Sequence, residues 1–367
     1  MPHDLPNDTR TLTTADYLSD EVYAVERERI FHGGWMFAAR ADRIRRGNRT
    51  VVDLAGESVL LTCDLDGEFH ALANVCRHRG ARLCDRHNDS GQGSLMCPYH
   101  AWTYALDGQL IATPHLDDTE VDRASLPLWR HHVRNWQGFL FVSTAKQPPA
   151  FDDWMALHCA DLLALERFHM ADLRVAHTST AEVAANWKII VENYQECLHC
   201  TRVHPELVAQ IPIYRTGWVV DHTRDDGGVT IVGDYSTGYG QGAGMPPLPG
   251  ISEVDRHSYF GASSFPNLFV DISGNCAVVT SLFPNGPSST TLVMEFMFAP
   301  EVIDGPGFDP GPIIEFNELV AAQDNLVCER VQQGVSSSAF TTGVLTPKDA
   351  LVIAFNKQYL NARGPVA

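Results

Sequence analysis

The sequence has 367 residues, of which 44% are hydrophobic and 20% charged, an ordinary composition for a globular protein with enough chain for two domains. Its formal net charge of -18 argues against nucleic acid and anionic membrane surfaces as partners. The N-terminus has no signal-peptide pattern and no apolar run reaches about 18 residues, so we expect a cytoplasmic protein with no membrane partner. The odd number of cysteines, nine, favours reduced thiols and metal ligands over a disulfide framework.

The first half of the chain predicts a helix followed by a β-rich segment. Residues 13–31 place apolar side chains at helical spacing behind a threonine that can cap the helix. Residues 35–142 contain short β-type runs such as "TVVDLA", "SVLLTCDL" and "GFLFVS", broken by Gly, Asp and Asn. The proline pair in "KQPPAFDD", residues 146–153, interrupts regular structure, so we predict a linker there.

The second half predicts helices around further β-type sequence. A helical stretch containing "NWKIIVENYQECLHC" is followed by Gly- and Pro-rich β-type runs, and then by a long helix over 311–334. The loop at 238–250 matches only a weak nucleotide-binding glycine pattern, and prolines stand where the helix of that motif should begin. We therefore expect this chain to receive electrons from another protein rather than from its own nicotinamide site.

Two short motifs supply a matched set of possible metal ligands. "CRHRG" at 76–80 and "CPYHAW" at 97–102 each contribute one cysteine and one histidine, namely Cys76, His78, Cys97 and His100. A Rieske [2Fe–2S] cluster needs two thiolates on one iron and two imidazoles on the other, and the matched pairs favour it. Gly80 and Pro98 suit the tight turns that such loops require. A zinc ion using the same four side chains is the alternative, ahead of unliganded core thiols.

The stretch "ECLHCTRVHP", which begins at Glu196, fits a zinc knuckle, a redox dithiol, a buried helix with incidental thiols, or an iron site. In a helix Glu196 and His199 share a face, whereas Cys197 points away from His199, which disfavours one zinc ion. His199 and His204 can meet at one metal only if the helix ends between them. Pro205 favours that end, because the residue before a proline avoids the helical region.

A third ligand is predicted on the long C-terminal helix. The apolar stripe of that helix consists of Ile313, Phe316, Val320, Val327 and Val331. The glutamates of its opposite, solvated face are Glu315, Glu318 and Glu329. Asp324 falls within the apolar stripe, where a carboxylate must be paired, protonated or bound to metal. A core aspartate held by an arginine or by backbone N–H groups is one interpretation; a 2-His-1-carboxylate site for Fe(II), made of His199, His204 and Asp324, is the one we predict.

With these two motif sets, the sequence strongly resembles the α subunits of Rieske non-haem iron oxygenases. "CRHRGARLC" and "CPYHAWTYALDGQLIATP" carry the resemblance for the cluster, and "NWK", "EN", an acidic-x-x-H-x4-H element and a distant Asp carry it for the iron. Ala81 and Tyr99 stand where respiratory Rieske proteins have two further cysteines, so the resemblance is to the oxygenase type. It covers roughly residues 16–360.

The resemblance implies an α+β fold with three segments. An N-terminal helical segment (1–34) would precede a β-rich Rieske domain (35–146) and a helix-grip catalytic domain (147–367), in which an antiparallel sheet wraps long helices. The implied cofactors are a Rieske [2Fe–2S] cluster and mononuclear Fe(II). The implied assembly is a homotrimer in a head-to-tail ring.

The resemblance also implies a route for electrons. A separate NAD(P)H-dependent flavin/iron–sulfur reductase, with or without a ferredoxin, would reduce the cluster. Glu196 would hydrogen-bond His199 in its own chain and His100 of a neighbouring subunit, and so connect the two metal sites. O₂ cleavage and hydroxylation of a small substrate would follow, and mono- and dioxygenation both fit. Asn193 is expected to tune the iron from nearby; a role in helix packing is the alternative.

The substrate is predicted from finer features. Most ring-hydroxylating members have Asp at the position of Glu196, and Glu there, with "NYQECLHC", "VHPEL" and "CERVQQGVSS", resembles the choline, glycine betaine, carnitine and stachydrine oxygenases. This implies hydroxylation or oxidative N-demethylation of a methylated ammonium compound. Aromatic rings of the predicted pocket segment can bind such a cation or can simply be core: Tyr214, Trp218, Tyr235, Tyr239, Phe260 and Phe265.

Two other functions compete with this interpretation. The first is an aromatic-ring-hydroxylating dioxygenase, which would use the same metal motifs. The second lies outside the class: a non-enzymatic Rieske electron carrier, or a zinc-stabilised binding protein. Small carriers end soon after the cluster motifs, whereas this chain continues and contains a second set of ligands, which favours an enzyme.

Overall fold

The computed structural model describes residues 9–85, 93–232 and 245–366. The chain divides into two compact units, one of residues 31–155 and one of residues up to 30 together with those from 156 onward. The three-part domain division made from the sequence stays a prediction. Among the described residues, no helix has both the length and the apolar composition needed to cross a membrane.

The described residues form strands and helices along the whole chain. The strands are β1 (Met36–Arg40), β2 (Asn48–Leu54), β3 (Glu57–Cys63), β4 (Phe69–Ala73), β5 (Ser94–Met96), β6 (Thr103–Ala105), β7 (Leu110–Ala112), β8 (Arg130–Trp136), β9 (Phe139–Ser143), β10 (Arg174–Val183), β11 (Val229–Thr230), β12 (Ser258–Ser264), β13 (Leu268–Ile272), β14 (Ala277–Gly286) and β15 (Ser289–Phe298). The α-helices are α1 (Thr14–Leu18), α2 (Asp20–Glu26), α3 (Phe151–His158), α4 (Ala160–Ala164), α5 (Trp187–Tyr194), α6 (Cys200–Val203), α7 (Pro205–Gln210), α8 (Pro300–Ile303), α9 (Gly311–Val335) and α10 (Ala350–Arg363).

The unit of residues 31–155 consists of two antiparallel sheets. The larger has the strand order β1-β9-β8-β4-β3-β2 and the smaller the order β5-β6-β7. Leu60 and Leu72 of the larger sheet pack with Leu95 and Tyr104 of the smaller one in a shared core. The runs "TVVDLA", "SVLLTCDL" and "GFLFVS" fall on β2, β3 and β9, which confirms the β-rich prediction for this segment.

The predicted helix over residues 13–31 is broken. Ser19 ends α1 with extended backbone, and its hydroxyl accepts a hydrogen bond from the N–H of Val22 at 3.2 Å, so it caps α2 instead of continuing one helix. A π-helical turn, Arg27–Phe31, follows α2. A serine in the middle of an amphipathic pattern is the local reason that one predicted helix became two.

The other unit has a six-stranded antiparallel sheet in the order β10-β15-β14-β13-β12-β11. Helix α5 contacts α9 and β14, and α9 also contacts β10. Helices against one antiparallel sheet in this unit, and the antiparallel sheets of the other unit, confirm the α+β prediction.

A buried ion pair positions α5. The Nζ of Lys188 lies 2.6 Å from Oε1 of Glu26, and both side chains are fully buried. Glu26 also accepts hydrogen bonds from Nε1 of Trp187 at 2.9 Å and from the hydroxyl of Tyr359 at 2.7 Å. Burial lowers the pKa of Lys188, and the charge of Glu26 opposes that shift. Three segments far apart in sequence therefore meet at one carboxylate.

Helix α9 begins and ends close to its predicted limits, but its buried face differs from the predicted one. Its buried side chains are Ile313, Phe316, Cys328, Gln332 and Val335. Val331 is 41% exposed, and Glu329 accepts a hydrogen bond from the N–H of Ala184 at 3.2 Å. The predicted stripe is therefore wrong beyond Asp324, where Cys328 and Gln332 are buried, because the side chain of Gln332 faces inward and accepts a hydrogen bond from the N–H of Asn186 at 2.8 Å.

Candidate metal centres and the catalytic cavity

The two Cys/His loops of the first unit have the same backbone hydrogen bonds. The N–H of Gly80 donates to the carbonyl of Cys76 at 3.1 Å, and that of Ala101 donates to the carbonyl of Cys97 at 3.0 Å. The N–H of each cysteine in turn donates to the carbonyl five residues on, at 2.8 Å in both loops. Gly80 and Ala101 have φ values of 74° and 56°, so each loop closes through one left-handed residue.

The four side chains of this site differ in exposure in a way that fits a Rieske cluster. Cys76 and Cys97 are 1% and 2% exposed, whereas His78 is exposed and His100 half-buried. The two imidazole rings lie 4.7 Å apart, centre to centre. Such a cluster binds its inner iron through thiolates and its outer iron through imidazoles, so the donor set and its burial fit the group.

The arrangement also disfavours a single zinc ion at this site. Among the described residues, His199, His204 and Asp324 form a group whose ligand atoms all lie within 4.8 Å of one another. The ligand atoms of Cys76, His78, Cys97 and His100 do not form such a group, as they would around one metal ion. Tyr104 was not singled out from the sequence: its hydroxyl lies 3.4 Å from Sγ of Cys76 and accepts the N–H of Arg77 at 3.0 Å.

The second site starts where α5 ends. The helix stops at Tyr194, Glu196 lies in the connection that follows, and α6 is a single turn ending at Val203. The prediction that Glu196 and His199 share a helix is therefore wrong, although they still pair. His204 has non-helical backbone (φ -122°, ψ 66°), and Pro205 begins α7, as the proline predicts.

The structure brings His199, His204 and Asp324 together. Nε2 of His204 lies 2.8 Å, and Nε2 of His199 3.3 Å, from the same oxygen of Asp324, Oδ1. Two imidazoles and a carboxylate that converge from one side form the donor set of a non-haem Fe(II) site and leave other coordination positions open. His199 and His204 lie at the two ends of the short helix α6, and Asp324 lies in the middle of α9.

The outer nitrogens of both histidines are also engaged. Nδ1 of His199 lies 2.6 Å from Oε1 of Glu196, and Nδ1 of His204 lies 2.7 Å from Oε1 of Gln323. These bonds hold each ring with Nε2 toward Asp324. Burial by itself would lower the pKa of His199, but hydrogen bonds to Asp324 and Glu196 raise it to about 9. Gln323 was missed from the sequence, although it directly precedes Asp324.

Asn193 faces the same group of atoms. Its Nδ2 lies 3.3 Å from Nε2 of His199 and 3.1 Å from Oδ1 of Asp324. Its Oδ1 lies within 3.5 Å of Sγ of Cys328. The side chain thus contacts two members of the His/Asp group rather than only packing between helices.

Cys197 and Cys200 form a disulfide, with their Cα atoms 5.0 Å apart. The expectation of reduced thiols is wrong for this pair, because the turn between α5 and α6 brings the two sulfurs together. The other described cysteines are buried and form no disulfide. Sγ of Cys200 lies 3.8 Å from Nε2 of His199, so the disulfide borders the iron-type site.

A cavity of about 380 Å³ opens beside the His/Asp group, within the unit that contains α5 and α9. Its wall includes His199, His204, Asp324 and Asn193. Of the aromatic residues predicted to line a pocket, Tyr214 and Phe260 do so. Trp218 and Phe265 are not among the described residues of the wall, and Phe265 instead packs against Trp187 and Phe355.

The remaining pocket predictions have other outcomes. Tyr235 and Tyr239 lie outside the described residues, as do positions 238–244 of the glycine-rich loop. The wall also contains aromatic residues of α5, β12, β13 and α9 that were not predicted to line a pocket: Tyr194, Tyr259, Phe269 and Phe316.

Comparisons with known proteins agree with both sites. Residues 34–130 match the Rieske [2Fe-2S] domain, and residues 170–362 match the ring hydroxylating alpha subunit (catalytic domain). The glycine betaine monooxygenase oxygenase subunit of Chromohalobacter salexigens is 30% identical over 364 residues, spanning 89% of this chain and 80% of that protein. The chloroplastic choline monooxygenase of Beta vulgaris is 27% identical, over 92% of this chain and 73% of that protein.

A solved structure shows the same fold. The apo form of the quaternary ammonium Rieske monooxygenase CntA superposes with a TM-score of 0.76 at 22% identity, covering 98% of this chain and 97% of that one. The chain therefore belongs to the Rieske non-haem iron oxygenases, as an oxygenase α subunit. It is an oxidoreductase whose cofactors are a Rieske [2Fe–2S] cluster and a mononuclear non-haem iron.

Proposed function

We propose that this protein is an oxygenase component that oxidises a methylated ammonium compound, by hydroxylation or by oxidative N-demethylation. The observation that carries the proposal is the cavity: it is bordered by His199, His204 and Asp324 and walled by aromatic side chains. Aromatic faces attract quaternary ammonium groups, which carry their charge over methyl surfaces. The names of the curated relatives, for glycine betaine and choline, support the same class of substrate.

The proposed ligands follow from the two groups of side chains. Cys76, Cys97, His78 and His100 would hold the [2Fe–2S] cluster, and His199, His204 and Asp324 would hold the iron. When bound, the cluster supplies electrons one at a time and the iron is the site of O₂ activation. Glu196 would hold the ring of His199 through Nδ1, and Asn193 would hold its amide against Asp324.

We further propose that the working form is a homotrimer served by a separate NAD(P)H-dependent reductase. In a head-to-tail ring, Glu196 would link His199 of its own chain to the His100 of a neighbouring subunit. The hydrogen bond between Glu196 and Nδ1 of His199, 2.6 Å long, supports the first half of that link. Because NAD(P)H is an intracellular electron source, we also propose a cytoplasmic location.

A substrate screen tests the class of reaction. With reductase and NAD(P)H, methylated ammonium compounds should stimulate O₂ uptake, and N-demethylation should release formaldehyde together with the demethylated amine. Aromatic hydrocarbons, the substrates of the competing ring-dioxygenase interpretation, should not. Dihydrodiol formation from an aromatic ring, without any oxidation of ammonium compounds, would replace the proposal with its rival.

The electron route has a separate test. Glu196→Gln keeps the side-chain length but removes its charge, so both metal sites should stay loaded while reoxidation of the reduced cluster by O₂ with substrate slows severely. Single-turnover stopped flow measures that rate, and Glu196→Asp, which keeps the charge, is the matched control. Wild-type reoxidation in an intact Glu196→Gln trimer would mean that electrons take another path.

A further inference from the structure

The cavity wall contains a carboxylate, that of Asp271, which is far along the chain from all the motifs above. Asp271 is on β13, where its neighbours on either side are buried and it is partly exposed. It lines the cavity, so that exposure is toward the cavity interior. The hydroxyls of Tyr194 and Tyr259 both donate to its Oδ1, the first at 2.5 Å. Two elements, the end of α5 and strand β12, thus hold the carboxylate in place.

The other oxygen of Asp271 is available. Both tyrosine hydroxyls bond to Oδ1; among the described residues, none donates a hydrogen bond to Oδ2 or forms a salt bridge with Asp271. Burial raises the pKa of Asp271 to about 6, opposed by the two tyrosine hydroxyls, so the group is mainly ionised at neutral pH. A desolvated carboxylate without a cationic partner is costly, and a cation in the cavity would offset that cost.

The surroundings of Asp271 suit a methylated cation. The ring of Tyr194 stacks on that of Phe269, 4.0 Å centre to centre and 6° from parallel. Gly261 pairs with Asp271 across β12 and β13, and a Cβ at that glycine would approach the hydroxyl of Tyr194 to 3.0 Å. The space beside the hydroxyl of Tyr194 therefore depends on the absence of a side chain at Gly261. Aromatic faces next to a carboxylate form the environment that a quaternary ammonium prefers.

The charges of the wall point to a particular kind of cation. The carboxylates that line the cavity are Asp161, Glu196, Asp226, Asp271 and Asp324. No Lys or Arg is among the described residues of the wall. The nearby guanidinium groups of Arg167 and Arg224 are paired with Asp255 and Asp226. Outside the group of His199, His204 and Asp324, a carboxylate on the substrate would find no lysine or arginine in the described wall to pair with, whereas an ammonium group would find Asp271.

We propose that Asp271 is the counter-charge for the substrate's ammonium group, and that the cavity accepts a methylated ammonium monocation without a carboxylate of its own. This inference rests on the proposed function and refines it. It predicts a different substrate from that of the Chromohalobacter salexigens relative, which is named for glycine betaine, a zwitterion. Tyr194 and Tyr259 position the carboxylate through Oδ1, which leaves Oδ2 for the cation.

Binding to the metal-loaded protein tests the inference with three probes. They are choline, which is a monocation; glycine betaine, which is a zwitterion; and 3,3-dimethylbutan-1-ol, a neutral shape analogue of choline. By titration calorimetry, choline should bind about tenfold or more tightly than either of the other two, because only choline presents a positive charge without a negative one. Equal or tighter binding of glycine betaine would overturn the inference.

Variants at one position sharpen the test. Asp271→Asn keeps an oxygen to accept both tyrosine hydroxyls, so it should fold and retain iron while choline affinity falls about tenfold or more and that of the neutral analogue does not. Asp271→Glu keeps the charge and should recover part of the choline affinity. Asp304→Asn, at an exposed salt bridge with Arg174, controls for the change in net charge. Unchanged choline affinity in a folded Asp271→Asn variant would overturn the inference.

The same proteins distinguish this inference from the proposed function. If glycine betaine is the preferred ligand and releases formaldehyde, the choice of cation made here is wrong while the proposed function stands. If none of the methylated ammonium compounds binds or is oxidised, both fail.

Discussion

The two metal regions of this protein are built in opposite ways. The four Rieske-type side chains lie between Cys76 and His100, in two loops with the same hydrogen bonds, each following a strand of the same small unit. The His/Asp group instead joins a short helix to a residue 120 positions later in the chain. The first arrangement is largely determined by local sequence, and the second exists only once distant helices have packed.

The largest effect is expected from the locally built site. Cys97→Ser should abolish the visible absorption of the cluster and all oxygenase activity, because a serine alkoxide poorly replaces a thiolate on iron. Absorption spectroscopy and metal analysis measure both. Cys84→Ser, which changes a buried cysteine of the same core that is in no disulfide, should keep its colour. A colourless wild-type protein that contains zinc would show that the first region does not hold an iron–sulfur cluster.

The next effect separates the two regions. Asp324→Ala should leave the cluster spectrum intact but reduce the iron content from about three to about two atoms per chain and stop product formation. Glu315→Ala, on the exposed face of the same helix, should change neither. Full iron content and turnover in the Asp324 variant would make this residue a paired core carboxylate.

The packing that supports the second region should be visible in stability. Lys188→Ala leaves the charge of Glu26 buried without its partner and should lower the free energy of unfolding by about 3–5 kcal/mol. Arg174→Ala breaks an exposed pair with Asp304 and should cost less than about 1 kcal/mol. Urea unfolding followed by circular dichroism compares them. Similar losses in the two variants would mean that the buried pair contributes little to this unit.

The smallest effect is expected at the disulfide. Replacing Cys197 and Cys200 together by serine should retain the mononuclear iron, because neither sulfur belongs to the group of His199, His204 and Asp324. Opening so short a loop should lower stability by about 2 kcal/mol or less. Metal analysis and thermal unfolding measure the two quantities. Loss of the iron without unfolding would show that this turn is needed to hold His199.

Much of this could be predicted from the sequence, for reasons that particular residues show. The strands of the first unit follow from alternating apolar runs, and the helix end before Pro205 follows from the restricted backbone of the residue preceding a proline. The break at Ser19 was missed because an amphipathic pattern does not register a competing cap. The buried face of α9 was wrongly predicted beyond Asp324, because the prediction assumed that only apolar side chains mark the packed face. In the structure the polar side chain of Gln332 is buried there and accepts a hydrogen bond from Asn186.

The ligand types and their spacing, two Cys/His pairs and an E-x-x-H-x4-H element, were determined by the sequence itself, because tight turns and a helix end arrange nearby residues in a limited number of ways. What only the tertiary structure decided is the neighbourhood of those ligands. Gln323 reaches His204, and Tyr194 and Tyr259 converge on Asp271, through the packing of α5 and α9 and through the pairing of β12 with β13. These contacts join residues that are 119, 77 and 12 positions apart in the chain, and local sequence patterns do not show which of them will meet.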